Sequence, residues 1–191
     1  MSRRSDSREQ AIATAERLFR TQGYAATGLT QVLEESGAPK GSFYFYFPGG
    51  KDEMAMAALL RYGGRVRDAL AALAAHHGDN EVGFVRALCR RTADDMRRSD
   101  WQLGCLAQNL AHERAPTSKL MADALADVFE SWTEVVASVF AKHRPGAAAA
   151  TAAKALLAGL EGARTLARVH RNDSAFEAVA TATVGALRPK T

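Results

Sequence analysis

Apolar residues recur along this chain at helical intervals of three and four, and no region shows the repeated alternation of half-buried strands. In the first such stretch Ala11, Ile12, Ala15, Leu18 and Phe19 share one face of a helix predicted over 8–22. Ser7 and Gln10 stand at the spacing of a capping box, and Gly23 falls where a left-handed C-cap is wanted. Leu29, Val32 and Leu33 then mark a short helix that Thr27 can N-cap and Gly37 closes, with Thr30, Gln31 and Glu34 facing elsewhere. Pro39 suits the first turn of a third helix, because its missing N–H has no intrahelical partner there. Pro48, Gly49 and Gly50 stop that helix soon after Phe47.

A long fourth helix is predicted over 51–75, with Asp52 and Glu53 in its first turn to complement the helix dipole. Residues 76–80 break it, and further helices are predicted over 81–98, 105–113, 117–143, 147–171 and 174–187. In the 117–143 segment Leu120, Leu125, Val128, Phe129, Trp132, Val135, Val136, Val139 and Phe140 cover a sector wider than one buried seam, so this helix packs on two sides. The next carries Ala155, Gly159, Gly162 and Ala163, small residues that let helix backbones approach closely, either inside one chain or between two. The fold class is all-α: an N-terminal three-helix head with a helix-turn-helix over 1–50, and a C-terminal helical bundle over 51–191. With no flexible linker between them, the fourth helix is expected to join the two rigidly.

Composition strengthens the helical reading, since alanine recurs throughout and only five prolines are present, while 47% hydrophobic residues suffice for a sizeable core. Charge adds little. The formal net charge of +4 is compatible with polyanion binding, but residues 1–51 hold seven Lys and Arg against five Asp and Glu. Cys89 and Cys105 stand too far apart for an ordinary Cys-ligated zinc site and are too few for a disulfide framework, which fits a reducing cytoplasm. The first residues lack the apolar stretch of a secretory signal, and no run of about 18 apolar residues could span a bilayer, so no membrane association is expected. The chain contains no Glu-x-x-His pair, no Gly-x-Ser-x-Gly and no phosphate-cradling Gly-x-x-x-x-Gly-Lys, and neither enzymatic activity nor a cofactor is expected.

The chemistry concentrates between Pro39 and Pro48. Phe43 and Phe47, at i and i+4, can pack on the first two helices, while Lys40, Ser42, Tyr44 and Tyr46 supply donors of the kind that meet phosphates and base edges. Gly41 permits close backbone approach, and Lys51 sets a charge at a helix N-terminus, where phosphate oxygens are readily held. Taken singly, such aromatics are usually core and such lysines usually solvated. Together on one short helix after a tight turn they describe a surface that docks on a polyanion, the second helix of a helix-turn-helix entering the major groove of DNA. A helical protein-interaction module without DNA binding would leave this surface unexplained.

Gly23-Tyr24, the stretch from Thr27 to Gly37, Pro-Lys-Gly-Ser-Phe-Tyr at 39–44, and Phe47 ahead of Lys51 closely resemble the N-terminal signature of the tetracycline-repressor (TetR) family. The resemblance implies a DNA-binding head and a larger ligand-sensing and dimerisation body. It further implies a homodimer formed through helices 147–171 and 174–187, and release of palindromic double-stranded operator DNA when a small-molecule inducer binds. By matching motif positions, Thr27, Gly28, Thr30, Lys40, Gly41, Ser42, Tyr44, Tyr46 and Lys51 correspond to places that commonly contact DNA. Relatives often carry Thr in place of Gly28 and His in place of Phe45 or Tyr46, so base preference does not transfer.

An inducer pocket is expected among the central helices, with Met96, Trp101, Leu106, Met121, Phe129 and Trp132 as apolar or polarisable walls and Asn109 and Arg164 as polar groups. The run Gly104-Cys105-Leu106, with Asn109 and Glu113 beyond it, also resembles a branch of the family whose members respond to electrophiles and oxidants through a cysteine. At a helix start the dipole favours the thiolate of Cys105, and its oxidation or alkylation would add bulk and polarity. The same run occurs in relatives taken to bind ligands non-covalently, so both kinds of effector stay open.

Overall fold

The computed structural model describes residues 3–38, 43–144 and 146–187, with side chains from Ser7 onward. Every regular element among them is a helix. The order is α1 (Arg3–Gln22), α2 (Leu29–Ser36), α3 (Phe43–Tyr46), α4 (Gly50–His77), α5 (Glu81–Arg98), α6 (Leu106–Glu113), α7 (Lys119–Phe140), α8 (Gly146–His170) and α9 (Ser174–Leu187).

Helix ends follow local chemistry, with instructive departures. α1 begins well before the predicted start because no Pro or Gly interrupts the first two turns, so Ser7 lies inside the helix and does not cap it. Gly23, at φ +87°, and Gly37, at φ +68°, adopt the left-handed backbone expected after α1 and α2. Thr27 is not the N-cap of α2. Gly28 holds that position without a side-chain capping bond, and Thr27 turns inward, fully buried, its hydroxyl donating to the Gly23 carbonyl at 2.7 Å. The start of the third helix around Pro39, and with it Lys40, Gly41 and Ser42, lies outside the described residues. α5 begins and ends where the pattern places it, capped by Asn80, whose side chain accepts the Gly83 N–H at 2.8 Å.

The chain divides into two compact units, Met1–Gly64 with Cys105–Val128, and Arg65–Gly104 with Phe129–Thr191. In the first, α1 contributes Ile12, Leu18 and Phe19, α2 contributes Val32, and the segment from α3 into α4 contributes Phe43, Phe47, Met54 and Leu59, all withdrawn from solvent. Leu106, Leu110, Met121 and Leu125 complete this core from α6 and α7. Each large side chain so buried stabilises the unit by roughly 1.5–3 kcal/mol relative to exposure. Arg61 of α4 ties α1 down through Glu9 at 2.5 Å and the buried Glu16 at 2.6 Å. Leu120, expected on the packed sector of α7, is instead 74% exposed. It sits 100° around the helix from Met121, which takes the buried place.

In the second unit α9 packs against both α5 and α8. Phe84, Met96, Trp132, Phe140, Leu156 and Phe176 are fully or almost fully buried there. Gly159 earns its place by proximity: a Cβ on it would stand 3.1 Å from the Val179 side chain of α9. Ala163 is buried as well, whereas Ala155 and Gly162 lie on the exposed face of α8. Arg144 fastens the end of α7 to the start of α5 through Glu81 at 3.0 Å and donates to the Leu187 carbonyl at the end of α9.

Candidate nucleic-acid interface and sensor residues

The short α3 has two unlike faces. Phe43 and Phe47 are buried with ring centroids 5.4 Å apart, while Tyr44 and Phe45 on the opposite side are 70% and 73% exposed. Tyr46 is half-buried, its ring edge-on to that of Phe45. The motif match assigns no role to Phe45, although its place two residues from the buried Phe43 sets it on the outer face. On α2, Gly28 and Thr30 are exposed, and a polar rim of Gln22, Gln31, Glu35 and Arg17 links α2 to α1. Of the nine residues matched to DNA-contacting positions, Gly28, Thr30, Tyr44, Tyr46 and Lys51 have solvent-accessible places. Thr27 is enclosed, and Lys40, Gly41 and Ser42 lie outside the described residues.

The turn between α1 and α2 is held from α6. The Glu113 carboxylate accepts the backbone N–H groups of Tyr24 at 2.8 Å and Ala25 at 2.6 Å, two donors of the turn that lie beyond the helical ladder of α1. A Cβ on Gly23 would lie 2.6 Å from Glu113 Oε1, so the glycine is required both for its backbone conformation and for this approach. One turn earlier on α6, the Asn109 amide donates to the Phe19 carbonyl at 2.8 Å. Asn109, expected as a polar ligand contact, is thus engaged with the last turn of α1.

Around the same turn, the Tyr24 hydroxyl donates to Asp52, which also receives Arg114 at 2.7 Å. Burial first and the Asp52 hydrogen bond second push the Tyr24 phenol up to about 12. The Lys51 ammonium stands 4.1 Å from the centroid of the Tyr24 ring, and partial burial lowers its pKa from the ordinary lysine value. The helix-turn-helix motif assigns no role to Asp52, Arg114 or Glu113, although Glu113 also stands in the run that resembles the cysteine-sensing branch. Their signal is tertiary, since Glu113 lies about 90 residues from the groups it holds.

The residues named as sensor walls fall in both units. In the first, Cys105 is 1% exposed with extended backbone at the N-cap of α6, and Leu106 and Met121 are buried. In the second, Met96 is buried, Phe129 and Trp132 meet edge to face at 5.3 Å, and Arg164 pairs with Glu161 at 3.6 Å on its own helix. Trp101 is the unusual member. It is 9% exposed and held at φ +65°, just after Asp100 at φ +52°, with its N–H donated to the Met96 carbonyl at 2.7 Å. A bulky residue in the left-handed region costs of order 1–3 kcal/mol, strain that the surrounding contacts must sustain. Among the described residues no cluster of side chains could hold a metal ion, and no helix is long and apolar enough to cross a membrane.

Residues 11–58 match the family described as bacterial regulatory proteins, tetR family, and residues 82–182 match the transcriptional regulator LmrA/YxaF-like C-terminal domain. The chain is 39% identical over 137 residues to the uncharacterized HTH-type transcriptional regulator YxaF of Bacillus subtilis, covering 72% of this chain and 71% of that one. It is 34% identical over 130 residues to the HTH-type transcriptional regulator LmrA of the same organism, covering 68% and 69%. The crystal structure of reduced Escherichia coli NemR superposes with a TM-score of 0.79 at 24% identity, covering 92% of this chain and 95% of that one, a likeness of fold.

Proposed function

The chain belongs to the tetR family of bacterial regulatory proteins and is a DNA-binding transcriptional regulator, and from that premise we propose that it is a cytoplasmic homodimeric repressor released from a palindromic operator by a small-molecule effector. Residues 1–50 read DNA, and residues 51–191 sense the effector and dimerise. The observation that carries the reading is the division of α3, with Phe43 and Phe47 anchoring one face while Tyr44 and Phe45 present the other to solvent. That outer face enters the major groove. Tyr44 and Tyr46 donate to phosphate or base edges, and Phe45 contacts thymine methyl groups. Gly28 and Thr30 border the groove, Lys40, Gly41 and Ser42 lead into α3, and Lys51 adds a charge beside them. Thr27 acts indirectly, by holding the turn at Gly23.

Two heads then occupy successive major grooves about 34 Å apart, which requires a dimer. The exposed faces of α8, with Ala155, Ala158, Gly162, Leu166 and Val169, and of α9, with Ala178 and Ala182, supply small and apolar surface for a four-helix contact with a partner. Glu113 and Asn109 make α6 the natural lever on the head, because a shift of α6 releases two N–H groups of the turn and the last carbonyls of α1 together. A non-covalent effector would act on the second unit, which holds both the strained Trp101 backbone and the Phe129–Trp132 aromatic pair. A second reading, covalent sensing at Cys105, is favoured by that residue's place at the N-cap of the same α6, although its burial limits access to reagents.

Fluorescence anisotropy with a duplex selected by the wild-type protein from a randomised pool tests the DNA surface. Tyr44→Ala and Phe45→Ala should each weaken specific binding about tenfold or more, in line with the 1–3 kcal/mol of a base contact. Unchanged affinity in both would refute the assigned face. Release of that duplex by an electrophile in wild type but not in Cys105→Ser would establish the thiol reading. Equal release in both would dismiss it.

A further inference from the structure

A groove of about 410 Å³ opens between α5 and α9, wholly within the second unit. Its floor is apolar, formed by Phe176, Cys89 and Ala93, each at most 4% exposed. At one end Arg97 is committed to Asp94 at 2.5 Å and to Asp173 across the groove. Further along, Arg86 and Arg90 stand one turn apart on α5, both exposed, and neither makes an ion pair among the described residues. Facing them from α9 are Glu177, also without an ion pair among the described residues, and the hydroxyl-bearing Thr181. Two uncommitted guanidinium groups against one carboxylate leave this stretch positive, whereas Arg97 between Asp94 and Asp173 leaves the other end negative.

We propose that the α5–α9 groove binds a small organic carboxylate, its anionic end held by Arg86 and Arg90 and its apolar body lying against Ala180 and the aliphatic stems of the two arginines. Guanidinium groups suit this task because their planar donors match a carboxylate in paired hydrogen bonds. The volume lies in the range of small-molecule pockets. Cys89 takes no chemical part, since burial pushes its thiol up to about 11 and keeps it neutral, a small apolar element of the floor. The site shares no residue with the effector walls named above. On α9, Glu177 and Thr181 flank α5, whereas Ala182 and Ala186 border a separate shallow groove against α8. The proposal therefore stands or falls independently of the assigned effector region.

The experiment is fluorine NMR of 4-fluorobenzoate with the full-length protein. Wild type should broaden the probe signal saturably, and unlabelled benzoate should reverse the broadening. The neutral 4-fluorobenzyl alcohol should bind at least tenfold more weakly. An Arg86→Gln/Arg90→Gln variant should lose the saturable response at least tenfold, while Arg86→Lys/Arg90→Lys keeps part of it. An Arg91→Gln/Arg98→Gln variant removes the same charge from elsewhere on α5 and should bind as wild type does. Because Arg86 and Arg90 are exposed, thermal melting of their variants should match wild type. Undiminished binding in the glutamine variant, equal binding of the alcohol, equal loss in the Arg91/Arg98 control, or no saturable response in wild type each overturns the proposal.

Discussion

Glu113 and Tyr24 meet across 89 positions of sequence, the carboxylate of one accepting the backbone N–H of the other at 2.8 Å. The second carboxylate oxygen takes the next N–H, that of Ala25, so one side chain closes the turn by which α1 leads toward α2. Glu113→Ala leaves two donors without their acceptor and should destabilise the protein by about 1–3 kcal/mol. For a chain of this size that corresponds to a loss of a few degrees in Tm. Glu113→Gln, which retains one carbonyl oxygen, should fall between. Calorimetry measures both, and a wild-type Tm in Glu113→Ala would show that solvent satisfies the turn equally well.

Gly63 and Gly64 are neighbours in α4 with opposite surroundings. A Cβ on Gly63 would meet Val128 at 2.9 and 3.0 Å, whereas nothing lies within 4 Å of one on Gly64. Gly64→Ala should therefore stabilise by about 0.5–1 kcal/mol through helix propensity. Gly63→Ala should destabilise by about 1–3 kcal/mol through overpacking. Chemical denaturation of the two variants should give opposite signs. The same sign in both would contradict the close passage of α4 and Val128.

The Tyr24 phenol titrates at about 12, above its ordinary 10.0, chiefly through burial and then through its bond to Asp52. The unfolded chain releases this proton at lower pH than the folded one. The stabilisation is complete below about pH 10 and is lost as pH rises through 12. Ultraviolet titration should show a phenol ionising near pH 12 that Tyr24→Phe removes. Persistence of that step in the variant would place the perturbed phenol elsewhere.

Phe45 is expected to matter for sequence preference more than for stability. At 73% exposure its truncation to alanine should leave the unfolding free energy within about 0.5 kcal/mol of wild type. Selection from randomised duplexes should show relaxed preference at thymine positions. An unaltered selected sequence would limit Phe45 to a bystander.

Leu166 and Val169 on α8 are 52% and 72% exposed, an apolar pair one turn apart. Replacing both by Asp should abolish dimerisation, as measured by sedimentation equilibrium, and with it tight operator binding. The monomeric fold should persist because neither side chain is in the core. A variant that remains dimeric would move the interface off this face.

Much of the fold was legible because helix periodicity and stop signals are local. α5 and α9 have the bounds that their caps and apolar spacing indicate, and Gly23 and Gly37 close the helices before them. Local rules misplaced Thr27. Its hydroxyl suits an N-cap, but a 2.7 Å bond to the Gly23 carbonyl and a fully buried site draw it inward and leave Gly28 at the cap. Leu120 failed for a related reason, since periodicity marks a stripe without telling which edge of it meets another helix.

The amino-acid sequence by itself determined the helices, the two-faced α3 and membership of a DNA-binding regulator family, because each depends on residues within a few turns of one another. Tertiary structure alone decided that Glu113 holds the Tyr24–Ala25 turn, that Asn109 serves α1, and that Arg86 and Arg90 overlook an apolar groove facing α9. Hydrogen bonds and ion pairs between distant segments carry no spacing rule. They exist only once packing has brought the segments within about 3 Å.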